Sequence, residues 1–515
     1  MANHNPRTNR GKIILAFAGI VAVLLACTRS ALPGDSPGWR VPDQVEPQIV
    51  SGLPTQAVQQ GVTITPGGPF LTATPDDPHP VPTVRTEPLQ HSVQAGDTLG
   101  LIAQRYSINL EELIKANALT NPNVLEIGQL LTVPVPTPGT PGPGFKIIPD
   151  SELVYSPSSV DFDIDGFIQS KGGYLARFRE EIDDKAYSGA EIVKRIGEDY
   201  SINPRLLLAV LEYQSGWVTQ ATPEPTTLEF PMNVRDSRRD TLYRQLSWAA
   251  DNLNLGYYLW NVNGAGNWLL GDGSVVPINS TINPGTAGVQ QLFASLYGRD
   301  GWLQAVSQEG LFTTYNALFG NPFAAGIEPL IPPGLRQPPM QLPFEQGLEW
   351  AYTGGPHGAW DTGSAWAAID FAPPAEGLGC IPSNEWVVAL ADGVIIRAED
   401  GAVMQDLDND GQEQTGWAVL YMHIETRDRV QPGTFLTAGE RVGHPSCEGG
   451  FSSGTHVHIA RKYNGEWIPA DQNLPFILDG WVSRGSGEYY DGYLEKKGKI
   501  IEAYEGRAPD NIITR

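Results

Sequence analysis

The sequence predicts a multidomain chain: a small βααβ module, then a mostly α-helical middle domain, then an antiparallel β-sheet domain. Three observations carry this. The chain has 515 residues, enough for about three or four domains of ordinary size. Its Gly 57 and Pro 43 exceed ordinary usage and gather into breaks between patterned stretches. From one stretch to the next the apolar spacing changes from helical to alternating.

Taken in order, residues 1–26 carry Arg7, Arg10 and Lys12 ahead of an uncharged apolar run at 13–26. A positive region followed by a short apolar one is the layout of an export signal, and the run is too short to span a bilayer. It ends Leu24-Leu25-Ala26-Cys27, which resembles the lipobox of bacterial lipoproteins. That resemblance implies lipid at Cys27 and anchoring at the outer face of the cell membrane or in the cell envelope. Residues 27–88 are rich in Pro, Gly, Thr and Gln without periodicity, and read as a disordered tether.

Residues 89–135 form one module. A short strand around Ser92 and Val93, a Gly96-Asp97-Thr98 turn, a helix with Leu99, Ile102, Ala103 and Tyr106, a second helix with Leu110, Leu113 and Ile114 ending at Asn117, and a strand closing at Val133-Pro134 follow in turn. This order resembles the LysM domain along the whole module, which implies binding to the N-acetylglucosamine-containing glycan of peptidoglycan or chitin. Residues 136–150 are a Pro/Gly linker, extended by composition.

Residues 151–335 are patterned as helices, notably at 190–200 and 204–213. The run Ile202-Asn203-Pro204 through Glu212, Gln214, Ser215 and Trp217, with Asn252, Gly256 and Leu259 later, resembles the lysozyme-like lytic transglycosylases. The catalytic acid position of that family falls on Gln214, and an amide cannot protonate a glycosidic oxygen. Glu212, two residues earlier, faces elsewhere on a helix. The domain is therefore expected to hold glycan or act as a spacer without cleaving.

Residues 336–480 carry the chemistry, and 481–515 read as a C-terminal extension. Of eight histidines, five lie between 357 and 458. In Thr455-His456-Val457-His458-Ile459 the alternation of a strand puts both imidazoles on one face and Val457 on the other. Two imidazoles with a third ligand and an open position are what catalytic zinc requires. The series Trp386 to Ile396, Gly416 to His423, Ala438 to Gly443 and Ser453 to His458 resembles the lysostaphin-type (M23) zinc metallopeptidases. His357 and Asp370, thirteen residues apart, match the spacing of the β-lytic and staphylolysin subgroup. The resemblance implies zinc on His357, Asp370 and His458, with His423 and His456 flanking the attacking water; Asp361, four residues after His357, is the rival ligand. His444 matches no functional position and is read as a surface histidine.

With Cys27 lipidated, Cys380 and Cys447 remain as an even pair, and a disulfide between them is expected in an oxidising compartment. Asp406, Asp408 and Asp410 copy the first half of an EF-hand loop, but Trp417 stands where the bidentate Glu belongs. The stretch reads as an acidic hairpin loop, with bound calcium as the alternative.

A net charge of -24 has the wrong sign for tracking nucleic-acid phosphates, so nucleic acid is not expected as a partner. The expected partners are peptidoglycan glycan and its peptide stems, with the membrane touched through lipid alone. The resulting reading is a cell-wall endopeptidase hydrolysing peptide cross-links. The alternative is a non-catalytic wall-binding lipoprotein that activates a wall amidase or serves as an adaptor, to which the complete ligand set is opposed.

Overall fold

In a computed structural model of the chain, the described residues are 87–515 apart from 94–97, 107, 120, 123, 136–138, 325, 376 and 378. The export signal, Cys27, the tether up to residue 86 and the Gly96-Asp97 turn lie outside them. Among the described residues, no helix is long and apolar enough to cross a membrane.

The small module is β1 (Leu89–Ser92), α1 (Leu99–Arg105), α2 (Leu110–Ala116) and β2 (Leu130–Val133), with β1 and β2 paired antiparallel. Val93, Leu99, Ile102, Ala103, Leu113, Leu131 and Val133 form its own core. Asn117 locks the module shut: its Nδ2 donates to Leu113 O and Thr132 O, and its Oδ1 accepts from Thr132 N at 2.7 Å. A side chain offering both donor and acceptor is needed there to satisfy a helix end and a strand together.

The middle unit is built around α3 (Gly189–Tyr200), α4 (Pro204–Ser215), α5 (Leu242–Asn261) and α6 (Pro284–Leu296). Ser188 and Glu191 close a capping box at the start of α3, a device contributing about 1 kcal/mol. Pro204 opens α4 where a missing N–H is harmless. The connection before this unit is not a bare linker. Ile147 and Ile148 are buried, Gly142 N donates to Pro277 O, and Ile147 N donates to Thr286 Oγ1. Such apolar anchors let an otherwise Pro/Gly-rich stretch lie down on α6.

The C-terminal unit is an antiparallel sheet. Its strands are β3 (Glu349–His357), β4 (Ala368–Ala372), β5 (Gly393–Glu399), β6 (Ala402–Asp406), β7 (Trp417–Met422), β8 (Phe435–Leu436), β9 (Val457–Tyr463) and, at the far edge, a strand at Ile512–Thr514. The order is β8-β5-β6-β7-β9-β4-β3, then Ile512–Thr514. The C-terminal extension is part of this body: Trp481, Leu494, Ile501 and Ile513 share one core with Val403, Val419, Tyr421, Val457 and Ile459. Its strands are short and its apolar residues few, so their common destination is not visible in the pattern.

Strand alternation gives the sheet two faces. Val457, Ile459, Val419 and Tyr421 point into that core. The other face, with Ala402, Met404, Ala418, Leu420 and Ala460, packs against the middle unit. His458 lies on this second face, one alternation from Ala460. Cys380 and Cys447 form a disulfide, with Cα atoms 5.8 Å apart. Residues 407–416 join β6 to β7 as a hairpin connection.

Candidate metal centre

His458 stands opposite Asp370 across the β9–β4 pair, and Asp370 stands opposite Gly354 across β4–β3. Register alone therefore brings one imidazole and one carboxylate together. His357 closes β3 and completes the group: among the described residues, His357, Asp370 and His458 form a compact set of buried metal-ligating side chains. His357 Nε2 lies 2.9 Å from His458 Nδ1, and Asp370 Oδ1 lies 3.3 Å from each. Donors held about 2.1 Å from a tetrahedral zinc stand roughly 3.4 Å apart, so the spacing fits.

The proton positions fit as well. His357 Nδ1 donates to Gly355 O at 2.8 Å, and His458 Nε2 donates to Ala359 O at 3.0 Å. These carbonyls assign the tautomers and leave His357 Nε2 and His458 Nδ1 as lone pairs facing Asp370 Oδ1. Asp370 Oδ1 is buried with no hydrogen-bond donor. Three electron-rich atoms converging without a proton between them repel one another unless a cation joins them. Burial works to raise the Asp370 carboxyl, but the imidazoles of His357 and His456, when they carry the positive charge that a cation would otherwise supply, hold it well below the usual range. Burial pushes the His458 imidazole down.

Gly354 makes room for this carboxylate. A Cβ there would lie 2.6 Å from Asp370 Oδ2, closer than any real Cβ contact.

His423 and His456 flank the set. His423 directly follows β7 with φ at 65°, a conformation that non-glycine residues adopt at a cost and that clusters at functional sites. Its Nδ1 donates to Glu448 O at 2.9 Å, leaving Nε2 free as an acceptor. Burial first, then His456 and His458, push its imidazole down to about 3, so it is neutral near pH 7 with Nε2 unprotonated. His456 Nδ1 donates to Gly454 O at 2.7 Å, and its Nε2 lies 3.7 Å from Asp370 Oδ2. The two rings are 4.4 Å apart between centroids, and His423 is 6.1 Å from His458.

Asp361, the rival ligand, points away from this group: its Oδ2 accepts from Tyr200 OH at 3.1 Å and its Oδ1 from Thr362 N. His444 is not on the surface. It is 3% exposed, lies under Trp386 with centroids 3.8 Å apart, and donates from Nδ1 to Glu385 O. Its position after Gly443 in a turn gave no sign that Trp386 would cover it.

The calcium reading gains no support. Asp406, Asp408 and Asp410 do gather, but Asp406 accepts from the backbone N–H groups of Asp408, Asn409 and Gly411, and Asp410 from Gln412 N and Thr415 Oγ1. The carboxylates stitch their own hairpin loop.

Sequence reasoning missed Tyr490, whose ring stacks on His357 with centroids 4.1 Å apart and planes at 22°. Burial, and then the Asp370 charge, push its phenol up, so it stays a hydrogen-bond donor. The adjacent Tyr489 accepts from Gly358 N. Two aromatics in a Gly-rich loop, Gly487-Glu488-Tyr489-Tyr490, were the only signal, and they lie 31 and 32 residues past His458.

In the middle unit, Glu212 accepts from Val218 N, Thr219 N and Thr219 Oγ1, capping the turn after α4. Gln214 Oε1 accepts from Tyr297 OH at 2.6 Å. The glutamate serves the local backbone, and no carboxylic acid stands at the Gln214 position.

Comparison with known proteins locates these units. Residues 91–134 match the LysM domain, and residues 146–332 match the LasA N-terminal domain. The latter match, rather than one to lytic transglycosylases, covers the middle unit. The chain is 26% identical over 346 residues to Protease LasA of Pseudomonas aeruginosa (strain UCBPP-PA14), covering 62% of this chain and 74% of that protein. It is 26% identical over 166 residues to the beta-lytic metalloendopeptidase of Lysobacter enzymogenes, covering 31% of this chain and 90% of that protein. Among solved structures it is similar to the M23 metalloprotease pseudoalterin, at 26% identity and a TM-score of 0.28, covering 34% of this chain and 98% of the other.

Proposed function

We propose that this chain is an exported zinc endopeptidase that hydrolyses peptide cross-links of peptidoglycan, held to the wall by its LysM module and to the membrane by lipid at Cys27. The observation that carries the reading is the convergence of His357 Nε2, Asp370 Oδ1 and His458 Nδ1, with two further imidazoles beside them. Similarity to LasA and the beta-lytic metalloendopeptidases supports it.

His357, Asp370 and His458 would hold the metal. Zinc bound there supplies Lewis-acid polarisation of the scissile carbonyl and acidification of a water. The chain's own residues do the rest. His423, kept neutral by burial, takes the proton of the attacking water on Nε2. His456, donating from Nδ1 to Gly454 O, presents an unprotonated Nε2 to the same space, and the proton that His423 has taken is the one passed to the leaving amine. Tyr490, protonated and stacked on His357, fixes that ring. The three ligands are buried, which keeps bulk water from competing with these donors.

The test is metal analysis of the purified full chain together with mass analysis of the fragments it releases from peptidoglycan. New amino termini in the stem peptides and about one zinc per chain are expected. Release of glycan fragments with intact peptides, or no release by a zinc-loaded chain, would sink the proposal and favour the amidase-activating or adaptor reading.

A further inference from the structure

The loop that leaves His357, residues 358–364, is held by the middle unit. Gly363 N donates to Asp251 Oδ1 at 2.6 Å, and Thr362 Oγ1 donates to Asp251 Oδ2 at 3.2 Å. Tyr200 OH donates to Asp361 Oδ2, and the Tyr200 ring meets Trp360 edge-on at 6.5 Å. A Cβ at Gly363 would lie 2.0 Å from Asp251 O, so loop and helix α5 meet backbone to backbone at a position where no other residue fits. Asp361 sits at φ 57°, a left-handed turn that an aspartate tolerates.

This loop also begins the support of the metal cluster. Ala359 N donates to Ala365 O, and Ala359 O accepts from His458 Nε2. That last bond decides which His458 nitrogen keeps its lone pair toward His357 and Asp370. The path from α5 to the cluster is therefore short and contiguous: Asp251, Gly363, the loop, Ala359 O, His458.

We propose that Asp251, a residue of the middle unit, is a positioning residue for the metal centre, holding residues 358–364 so that Ala359 O fixes the ring and tautomer of His458. Resting on the reading of His458 as a ligand, this makes the middle unit a structural part of the site. Asp251 touches neither metal nor substrate. Partners of ligating imidazoles typically change metal affinity by about 10- to 100-fold when lost, and Asp251 acts one step further out.

The experiment uses the full chain and its Asp251→Ala, Asp251→Asn and Leu246→Ala variants. Leu246 lies on the same helix and is fully buried, so Leu246→Ala reports plain destabilisation of the unit. Zinc release to a chelator is followed, and the ring nitrogens of His458 are read by 15N NMR in the metal-free chain. Asp251→Ala is expected to release zinc about 10-fold faster and to lose the single Nε2–H tautomer. Asp251→Asn, which keeps an acceptor for Gly363 N, is expected to restore both. An unchanged His458 tautomer in Asp251→Ala overturns the inference, as does equally fast release from Leu246→Ala. A wild-type chain that binds no zinc overturns the proposed function instead, and the NMR readout still decides the role of Asp251.

Discussion

Removing His458 and removing His423 should produce different failures, and the contrast separates ligand from base. His458 Nδ1 lies within 2.9–3.3 Å of the other two donor atoms, whereas the His423 ring centre is 6.1 Å from that of His458. Small zinc domains bind their metal with roughly 10–16 kcal/mol shared among four ligands, or about 2.5–4 kcal/mol for each. At about 1.4 kcal/mol per tenfold, His458→Ala should weaken zinc binding by about 10²- to 10³-fold. His423→Ala should leave zinc affinity within a few-fold of wild type while lowering kcat by about 10²- to 10⁴-fold, the usual share of one acid–base group. The assay is equilibrium dialysis against buffered zinc, paired with turnover of a short peptide by the zinc-loaded protein. Comparable zinc loss from both variants would refute the division of roles, and so would a His423→Ala protein that still turns over normally.

The remaining expectations are narrower. Gly354→Ala should lose zinc although it changes no ligand, because its Cβ would lie 2.6 Å from Asp370 Oδ2; a zinc content equal to wild type would show that β3 can yield there. Deleting residues 90–134 should weaken hydrolysis of intact wall while sparing a short soluble peptide, since glycan docking raises local concentration without touching the chemistry; equal loss on both substrates would make the module a folding aid. Burial first, then Glu328, raises Glu466 to about 8, and burial first, then Glu413, raises Glu198 to about 7. Both carboxyls therefore bind more protons folded than unfolded, and their share of stability falls as pH rises from about 4.5 to 8. The double variant Glu198→Gln, Glu466→Gln should melt several degrees higher than wild type at pH 8 and no higher at pH 4; a gain independent of pH, measured by calorimetry, would contradict this assignment.

What the sequence determined was local and periodic. The two helices of the small module followed from Leu99, Ile102, Leu110 and Leu113 at helical spacing, and the shared face of His456 and His458 followed from strand alternation, because both periods are properties of the backbone. The thirteen-residue step from His357 to Asp370 was legible through its likeness to a family. The tertiary structure alone decided what depends on distant segments meeting. Asp361 turned to Tyr200, 161 residues away along the chain. His444 was buried by Trp386, and Tyr490 came from the apparent extension to lie on His357. The tie between the middle unit and the site, Asp251 to Gly363, spans 112 residues. A hydrogen bond or ring stack of this kind leaves no period in the chain, because its partners are chosen by how whole units pack and not by their neighbours in sequence.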